Sequence, residues 1–414
     1  MNPKTFMLIA GEASGDLLAA ELVSALREKL PDAKFFGAGG AKMSAAGIEL
    51  AFDMTQHAVI GISDVLKNYF KFRRLFNQLC ALAIERKPDV IIGVDYGGFN
   101  LRFGHAIKNE VQKQFGHGGS ISRQICEHRH GGPKPDEPWL PKIVQFVSPQ
   151  VWASRPGRAD LLARDYDLLL SIFPFEKNWY AQRAPKLRVE FVGHPMVDRI
   201  GRSRGNEAQI KTENKSEPPH VVSYKVLLLP GSRKSELKKH LPVMLGAVKT
   251  IQEKLPNAKV KMVLSDESLI QLAKSLGANL EIQIGNLPDA LAQVDVAIAS
   301  TGTVTMECAF FGVPTVTLYK TSWLTYEIGK RIVTVKSLTM PNLMAGEEVY
   351  PEFIQSAATP ENISRAALEL LQNESRRAKI KSQLEKIISS LGEPGASQRA
   401  AAAILKLFDS KRGL

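Results

Sequence analysis

The residues between positions 299 and 314 combine hydroxyls, a glycine and a carboxylate in a spacing that suits a nucleotide diphosphate. An apolar run leads into the stretch ASTGTVTMECAFFGVP, which predicts a strand, a tight turn and the start of a helix. Free N–H groups at a helix N-terminus attract an anion. The turn residues that would surround this anion are Ser300, Thr301, Gly302 and Thr303.

Glu307 follows Thr303 by four residues and so lies about one helical turn further along the same face. A carboxylate at that place can accept hydrogen bonds from both hydroxyls of a ribose. An ordinary strand-to-helix turn with a capped helix and a surface glutamate would explain the same residues. Both interpretations stay open on this stretch alone.

A second group of candidate phosphate ligands follows the predicted strand 226–229. The turn LPGSR brings Ser232 and Arg233 to the start of a helix, and a guanidinium offers a fixed pair of donors to a diphosphate. Asn342, in the extended loop 341–346, could reach the same phosphates. The alternative for Arg233 is a surface arginine in a basic protein.

Two carboxylates near the N-terminus are candidates for a general base. Glu12 and Ser14 follow the first predicted strand in the sequence GEASGD, and Asp95 follows the strand DVIIGV. Open α/β sheets bind ligands at the carboxyl ends of their strands, so these side chains share one edge. Asp95 is the first choice as base and Glu12 the second, while Ser14 or Asp16 would otherwise cap the following helix. A turn-capping role for Asp95 is the alternative.

The order of predicted strands and helices indicates two Rossmann-like, doubly wound α/β domains. We expect an N-terminal domain over residues 1–200, a polar linker over 201–224 and a second domain over 225–390. Residues 391–414 are expected to form a last helix after the break at 392–395.

The segment 59–82 is predicted to be a basic amphipathic helix. Its apolar side chains are interleaved with Lys67, Lys71, Arg73 and Arg74, a composition typical of helices that lie on an anionic bilayer. A core helix with a basic solvent face is the alternative. The predicted membrane contacts are Val65, Leu66, Tyr69, Phe70, Phe72 and Phe76.

Composition limits the partners. The 414 residues carry a net charge of +12, which favours an anionic partner. No zinc-finger, RRM-like or helix-turn-helix signature accompanies this charge, so nucleic acid is not expected. No apolar run reaches the roughly 18 residues needed to span a bilayer. The apolar run at the N-terminus is too short for a signal peptide. We therefore expect a cytoplasmic protein that meets phosphate-bearing substrates on an acidic membrane.

Neither a disulfide framework nor a metal site is expected. Cys80 and Cys308 fall in apolar helical patterns, which predicts buried thiols. The spacing of His117, Cys126, His128 and His130 matches no standard zinc motif.

Eight motifs in this order and spacing resemble the lipid-A-disaccharide synthase family, glycosyltransferases of family 19 with the GT-B fold. The resemblance runs nearly end to end. The motifs are IAGEASGD (9–16), GVDYGGFN (93–100), VSPQVWASR (147–155), FPFE (173–176), GHPMVD (193–198), LLPGSRKSE (228–236), ASTGTVTMECAFFGVP (299–314) and MPNLMAGEEV (340–349).

The resemblance implies a hexosyltransferase of lipopolysaccharide (lipid A) biosynthesis. It would transfer 2,3-diacylglucosamine from UDP-2,3-diacylglucosamine to 2,3-diacylglucosamine 1-phosphate with inversion, giving a β-1,6-linked disaccharide phosphate and UDP. The resemblance also implies two Rossmann-like domains with the site in the cleft between them and UDP held by the second domain. It implies that the C-terminal helix in 391–414 crosses back to pack on the first domain. No cofactor is implied. Peripheral association with the inner face of the inner membrane is expected, and a homodimer is left open.

Other functions remain for comparison. A UDP-N-acetylglucosamine 2-epimerase has a similar fold but would not need the apolar basic helix. A transferase acting on a peptidoglycan lipid precursor is disfavoured by the GEASGD turn. A binding or scaffold protein without catalysis is disfavoured by intact Glu12, Asp95, Arg233 and Glu307. One departure from the family pattern is Tyr96-Gly97-Gly98 after the aspartate, which could alter the acceptor pocket.

Overall fold

The computed structural model describes residues 3–54, 62–114, 139–200 and 223–409. The chain forms two compact units. Unit 1 comprises Met1–Val151, Pro156–Pro195 and Gly395–Leu414, and unit 2 comprises Trp152–Arg155 and Met196–Pro394. The expected linker and the histidine-rich loop fall almost entirely outside the described residues.

The described part of unit 1 contains a sheet of seven parallel strands. In chain order these are β1 (Thr5–Ala10), β2 (Lys34–Gly39), β3 (Glu49–Asp53), β4 (Val90–Val94), β5 (Lys142–Phe146), β6 (Leu168–Ser171) and β7 (Val189–Phe191). Their order in the sheet is β3-β2-β1-β4-β5-β6-β7, and each neighbouring pair is parallel. The direction of winding therefore reverses between β1 and β4, where such sheets bind ligands.

Unit 2 repeats this arrangement with six parallel strands among its described residues. They are β8 (Lys225–Leu229), β9 (Lys259–Leu264), β10 (Glu281–Ile284), β11 (Val296–Ser300), β12 (Thr315–Tyr319) and β13 (Glu352–Ile354). The order is β10-β9-β8-β11-β12-β13, so the reversal falls between β8 and β11. The expectation of two doubly wound α/β domains is confirmed.

The central strands β1, β4, β8 and β11 are almost entirely buried, which is why they are runs of apolar residues rather than alternating patterns. Helices connect the strands. The first eight are α1 (Ala13–Lys29), α2 (Ala41–Ala45), α3 (Ile62–Arg86), α4 (Gly97–Gln114), α5 (Val151–Ser154), α6 (Arg158–Asp165), α7 (Pro174–Arg183) and α8 (195–200). The others are α9 (Lys234–Lys254), α10 (Ile270–Ser275), α11 (Leu287–Leu291), α12 (Val304–Phe310), α13 (Trp323–Ile332), α14 (Met340–Ala345), α15 (Pro360–Gln372), α16 (Glu374–Ser390) and α17 (Ala396–Asp409).

The last helix, α17, is part of unit 1 and packs on α1. Phe408 meets Phe6 of β1 edge-on at 6.2 Å between ring centroids, and the Lys4 ammonium lies 4.7 Å from the Phe408 ring. Arg399 Nε also donates to the Val192 carbonyl at 2.8 Å. Aromatic, cationic and hydrogen-bond contacts thus fix α17 to unit 1.

The start of α1 differs from the sequence prediction. Glu12 is the N-cap residue, so the helix begins at Ala13. Asp16 does not cap α1, although the sequence allowed that role for it. Its buried carboxylate instead accepts hydrogen bonds from the backbone N–H groups of Gly40, Lys42 and Met43, at the start of α2. A three-donor contact of this kind joins α1 to α2.

Gly11 and Gly15 have no side chains, which leaves space beside the backbone where β1 leads into α1. In the structure the protein itself uses this space. A Cβ on Gly11 would lie 2.4 Å from Tyr96 Cδ1, and a Cβ on Gly15 would lie 3.2 Å from the Val94 carbonyl oxygen. These glycines therefore let the end of β4 approach the start of α1.

Among the described residues, no helix is both long and apolar enough to cross a membrane. Cys308 is fully buried and Cys80 is half-buried, and burial raises the pKa of each thiol to about 12. The expectation of a buried thiol is confirmed for Cys308. Cys126 and the three histidines near it lie outside the described residues.

Candidate functional site

In unit 1, the structure brings together Ser14 and Asp95 at the reversal between β1 and β4. The Ser14 hydroxyl donates to Asp95 Oδ2 at 3.3 Å. Glu12 lies in the same region, since it is the N-cap residue of α1 just after β1. Burial raises the pKa of Tyr96, and the negative charge of Glu12 raises it further. Two carboxylates and a hydroxyl thus occupy the carboxyl ends of neighbouring strands.

Burial sets the protonation behaviour of Asp95. Loss of solvent raises the pKa of its carboxyl above the usual range, while the Tyr96 N–H and the Ser14 hydroxyl oppose that rise. A carboxylate with a raised pKa is a stronger base than one in water. The environment of Asp95 therefore suits proton abstraction from a hydroxyl.

The backbone at Asp95 is held by residues that the sequence analysis missed. Gln145 Nε2 and Asn100 Nδ2 each donate to the Asp95 carbonyl oxygen at 2.9 Å. The Asp95 N–H donates to the Phe146 carbonyl at 2.8 Å. A glutamine inside the otherwise apolar strand KIVQF was the signal that could have led to Gln145.

In unit 2, the turn after β11 leaves donors available. Ser300 is buried, and the Thr301 N–H donates to the Leu318 carbonyl at 3.1 Å. Within the described part of the chain, the N–H groups of Gly302 and Thr303 make no hydrogen bond, and both residues are exposed. These two N–H groups are the donors that the turn can offer an anion.

The start of the helix after this turn is held by Thr305 rather than by its N-cap residue. Thr303 is the N-cap of α12 but its hydroxyl makes no capping hydrogen bond. Thr305 Oγ1 instead donates to the Gly302 carbonyl at 2.7 Å. Glu307 is half-buried one turn later, where burial raises its carboxyl pKa and the positive charge of Arg199 in α8 lowers it.

Ser232 and Arg233 form the turn into α9, where a further carboxylate was missed. Glu236 Oε2 accepts hydrogen bonds from the N–H groups of Ser232 at 3.0 Å and Arg233 at 3.3 Å. Glu236 Oε1 accepts one from Arg233 Nη1 at 3.1 Å. The spacing of Glu236 three residues after the N-cap was the available signal. The Arg233 side chain remains 61% exposed, so its other donors face solvent.

His240, also missed, joins the turns after β8 and β12. It is fully buried, its Nδ1 donates to the Pro230 carbonyl at 2.8 Å, and its Nε2 accepts from the Lys320 N–H at 3.1 Å. Burial lowers its pKa, which outweighs the opposing effect of the Pro230 and Lys320 backbone. The neutral imidazole therefore holds the loop that carries Arg233.

We expect acid to destabilise unit 2 through His240. The pKa is lower in the folded protein than in the unfolded chain, so stability is full above about pH 6.5 and falls as the pH drops below that value. Urea midpoints at about pH 7.5 and about pH 5.5 measure this difference. His240→Gln retains a donor and an acceptor without titrating and should reduce the difference. An equal pH dependence in this variant would contradict the assignment.

Asn342 is not available to a phosphate, contrary to the prediction. It is buried, and its Nδ2 donates to Tyr350 O at 2.8 Å and to Glu352 Oε1 at 2.9 Å. Its Oδ1 accepts from the N–H groups of Val349 and Tyr350 at 2.9 and 2.8 Å. All four hydrogen-bonding positions of the amide are used within unit 2. Asn342 therefore supports the loop after α14.

The predicted membrane contacts divide into separate groups. Phe70 is 79% exposed and Phe72 is half-buried. Phe76 does not face outward: its ring lies 5.4 Å from Phe99 and 5.9 Å from Phe103 in the core of unit 1, because α3 packs on α4. The side chains of Val65, Leu66 and Tyr69 lie outside the described residues.

Comparison with known proteins identifies related sequences along nearly the whole chain. A family model described as lipid-A-disaccharide synthetase matches residues 6–116 and 138–407. The lipid-A-disaccharide synthase of Syntrophus aciditrophicus (strain SB) is 33% identical over 413 residues, covering 99% of each chain.

Solved structures with the same fold are more distant in sequence. The UDP-GlcNAc 2-epimerase of Neisseria meningitidis, bound to UDP-GlcNAc, is 13% identical with a TM-score of 0.58, covering 97% of this chain and 100% of that one. The glycotransferase of kitacinnamycin is 17% identical with a TM-score of 0.54, covering 98% and 99%. At these identities the likeness establishes the two-unit α/β fold.

Proposed function

The chain belongs to the lipid-A-disaccharide synthase family, and on that premise we propose that it transfers 2,3-diacylglucosamine from UDP-2,3-diacylglucosamine to 2,3-diacylglucosamine 1-phosphate. The acceptor 6-hydroxyl oxygen forms a bond to the anomeric carbon of the donor. The bond between that carbon and the diphosphate oxygen breaks, and UDP leaves with the electron pair. A single displacement of this kind converts an α-linked donor into a β-1,6-linked disaccharide phosphate.

Asp95 is assigned as the general base in this proposal. The hydroxyl proton passes to its carboxylate as the new glycosidic bond forms. Support comes from its place at the reversal of the unit 1 sheet, its raised pKa and the Ser14 contact. Glu12, the N-cap of α1, is the alternative base, and Ser14 is assigned to substrate binding.

Unit 2 is assigned the diphosphate of the donor. Negative charge on UDP grows as the bond breaks, so fixed donors at that position stabilise the transition state. Arg233 presents exposed guanidinium donors at the end of β8. Gly302 and Thr303 present free N–H groups at the end of β11, the neighbouring strand. Ser232, Ser300 and Thr301 complete the proposed set.

Glu307 is assigned to the ribose, and its replacement tests this directly. Glu307→Gln should weaken UDP binding, because a neutral amide is a poorer acceptor for two hydroxyls than a carboxylate. We expect a loss of about tenfold in Kd, measured by calorimetry. For 2′,3′-dideoxy-UDP the variant and the parent chain should bind alike. An equal loss with both nucleotides would contradict the ribose contact.

The full-length match to lipid-A-disaccharide synthases carries the proposal. The fold alone would not, because an epimerase shares it at low identity. The test is the reaction product, analysed by NMR after incubation with both lipid substrates. We expect the coupling constant of a β-linked anomeric proton. An α linkage would contradict the single displacement, and epimerised donor with no disaccharide would favour an epimerase.

We also propose peripheral contact with the anionic inner face of the inner membrane, where both acylated substrates reside. Support comes from the exposed Phe70 on α3 and the basic side chains near it. An open depression there is lined by Phe70, Arg73, Arg74, Asn77, Gln78 and Ala81. An aromatic ring among cations suits the boundary of an acidic bilayer.

Two phenylalanines on α3 should respond differently to replacement. Phe70→Ser should weaken binding to phosphatidylglycerol vesicles by about tenfold, since one buried aromatic contributes about 1.5–3 kcal/mol. It should leave the urea midpoint unchanged. Phe76→Ser should lower the free energy of unfolding by about 2 kcal/mol or more. Vesicle flotation and urea denaturation measure the two effects, and unchanged flotation of Phe70→Ser would contradict the membrane contact.

A further inference from the structure

The backbone at Asp95 has an unusual conformation. Asp95 has a φ of 52° and Tyr96 a φ of 43°, so two consecutive residues with side chains occupy the left-handed region. This conformation is unfavourable for a residue with a side chain, and it persists only where its surroundings impose it. The conformation of Asp95 therefore needs a structural cause.

Two buried amides supply that cause. Gln145 is fully buried, and its Nε2 donates to the Asp95 carbonyl at 2.9 Å and to the Val147 carbonyl at 3.2 Å. Asn100 is 2% exposed, and its Nδ2 donates to the same Asp95 carbonyl. The Asp95 N–H is held by Phe146 on the neighbouring strand. Both ends of the residue are thus fixed.

The oxygen atoms of the same two amides are buried without forming hydrogen bonds. Gln145 Oε1 and Asn100 Oδ1 have no hydrogen-bond partner among the described residues. A buried, unpaired acceptor destabilises a protein, because it loses its hydrogen bonds to water and gains none in return. A Cβ on Gly93 would lie 2.7 Å from Gln145 Oε1 and 2.8 Å from Asn100 Cγ, so the glycine makes room for both side chains. The NH₂ groups pair with backbone carbonyls at the end of β4 and after β5, whereas the two oxygens are left without a partner.

We propose that Gln145 and Asn100 are positioning residues for Asp95: their NH₂ groups hold its carbonyl and so aim its carboxylate. This inference deepens the proposed function and rests on it for the consequence in turnover. Neither amide touches a reacting atom. Their effect on the reaction passes through the orientation of Asp95 and through its shielding from water.

The test compares Gln145→Met with the parent chain. Methionine has a similar length, donates nothing and removes the unpaired oxygen. We expect kcat to fall about 10- to 100-fold with KM unchanged, because a small misplacement of a reacting group has effects of that size. Asp95 should also become more hydrated, so its pKa should move towards the usual value. Titration of γ-¹³C-labelled aspartate by NMR, assigned with Asp95→Asn, measures this.

Matched controls separate positioning from folding. Gln283 of unit 2 makes the same kind of contact, with Nε2 donating to Gly285 O at 2.9 Å and Asn286 O at 2.8 Å. Gln283→Met should therefore change the urea midpoint at most and leave kcat and the Asp95 titration unchanged. Asn100→Leu gives a second variant of the positioning pair if Gln145→Met does not fold.

The outcomes distinguish the two proposals. An unchanged kcat and an unchanged Asp95 titration in a folded Gln145→Met or Asn100→Leu variant would overturn the positioning inference and leave the proposed function intact. Full activity in Asp95→Asn would overturn the assignment of the base. The Asp95 titration would still decide whether the amides position that carboxylate, since it needs no turnover.

Discussion

Asp95→Asn should reduce kcat by about 10²- to 10⁴-fold, the range expected when a general base is lost. Asparagine keeps the shape of the side chain and its contact with Ser14, but it cannot accept the proton of the attacking hydroxyl. UDP affinity should stay within about twofold, because the proposed UDP ligands are in unit 2. Rates are measured as UDP release, and affinity by calorimetry.

The pH dependence of kcat and a variant of Glu12 provide two further tests of Asp95 as the base. Protonated Asp95 is inactive as a base, so kcat should fall as the pH drops through its raised pKa. The residual kcat of Asp95→Asn should not show this fall at low pH. Glu12→Gln is the matched control and should lose much less activity. A larger loss in Glu12→Gln than in Asp95→Asn would transfer the role of base to Glu12.

Arg233→Ala should have the second-largest effect. Loss of charge-assisted hydrogen bonds of about 1.5–3 kcal/mol predicts UDP binding weaker by about 10- to 100-fold. The loss in kcat/KM should be at least as large, because charge on the diphosphate increases in the transition state. Arg233→Lys keeps a charge without the planar guanidinium, so its UDP affinity and kcat/KM should lie between those of the parent chain and those of Arg233→Ala. Calorimetry and steady-state rates measure both quantities.

Glu236 provides the control for Arg233. Its carboxylate accepts from Arg233 Nη1, so removing the guanidinium leaves a negative charge beside the proposed diphosphate site. Glu236→Gln retains acceptors for the N–H groups of Ser232 and Arg233 but removes this charge. If Arg233→Ala combined with Glu236→Gln regains full affinity, repulsion by Glu236 explains the loss and Arg233 does not bind the phosphates. Persistent weak binding supports direct contact.

The sequence predicted the fold, and the strand ends that carry the candidate residues, because both depend on local patterns. Apolar runs followed by polar turns located the strand ends that carry Asp95 and Ser300, and the parallel sheets then placed them at the reversals. Composition could not predict which polar groups form hydrogen bonds with one another. Asn342 lies in a motif suited to phosphate, but its amide is fully used by Val349, Tyr350 and Glu352.

The same limit explains the residues that were missed or misassigned. Phe76 and Phe70 lie on one amphipathic helix, and periodicity did not show which side faces the core. Gln145 and His240 act through backbone groups distant in sequence, which no local spacing reveals. Asp16 caps a helix 24 or more residues away for the same reason. The roles of these polar residues therefore depend on tertiary hydrogen bonds that the sequence pattern does not show.

Acceptor-dependent UDP release shows whether the chain transfers the donor sugar to the lipid acceptor. The purified chain is incubated in detergent with UDP-2,3-diacylglucosamine, with and without 2,3-diacylglucosamine 1-phosphate, while UDP and lipid products are quantified together. We expect rapid UDP release only when the acceptor is present, with one disaccharide phosphate formed per UDP. UDP binding without release, or release that ignores the acceptor, would contradict glycosyl transfer to this lipid.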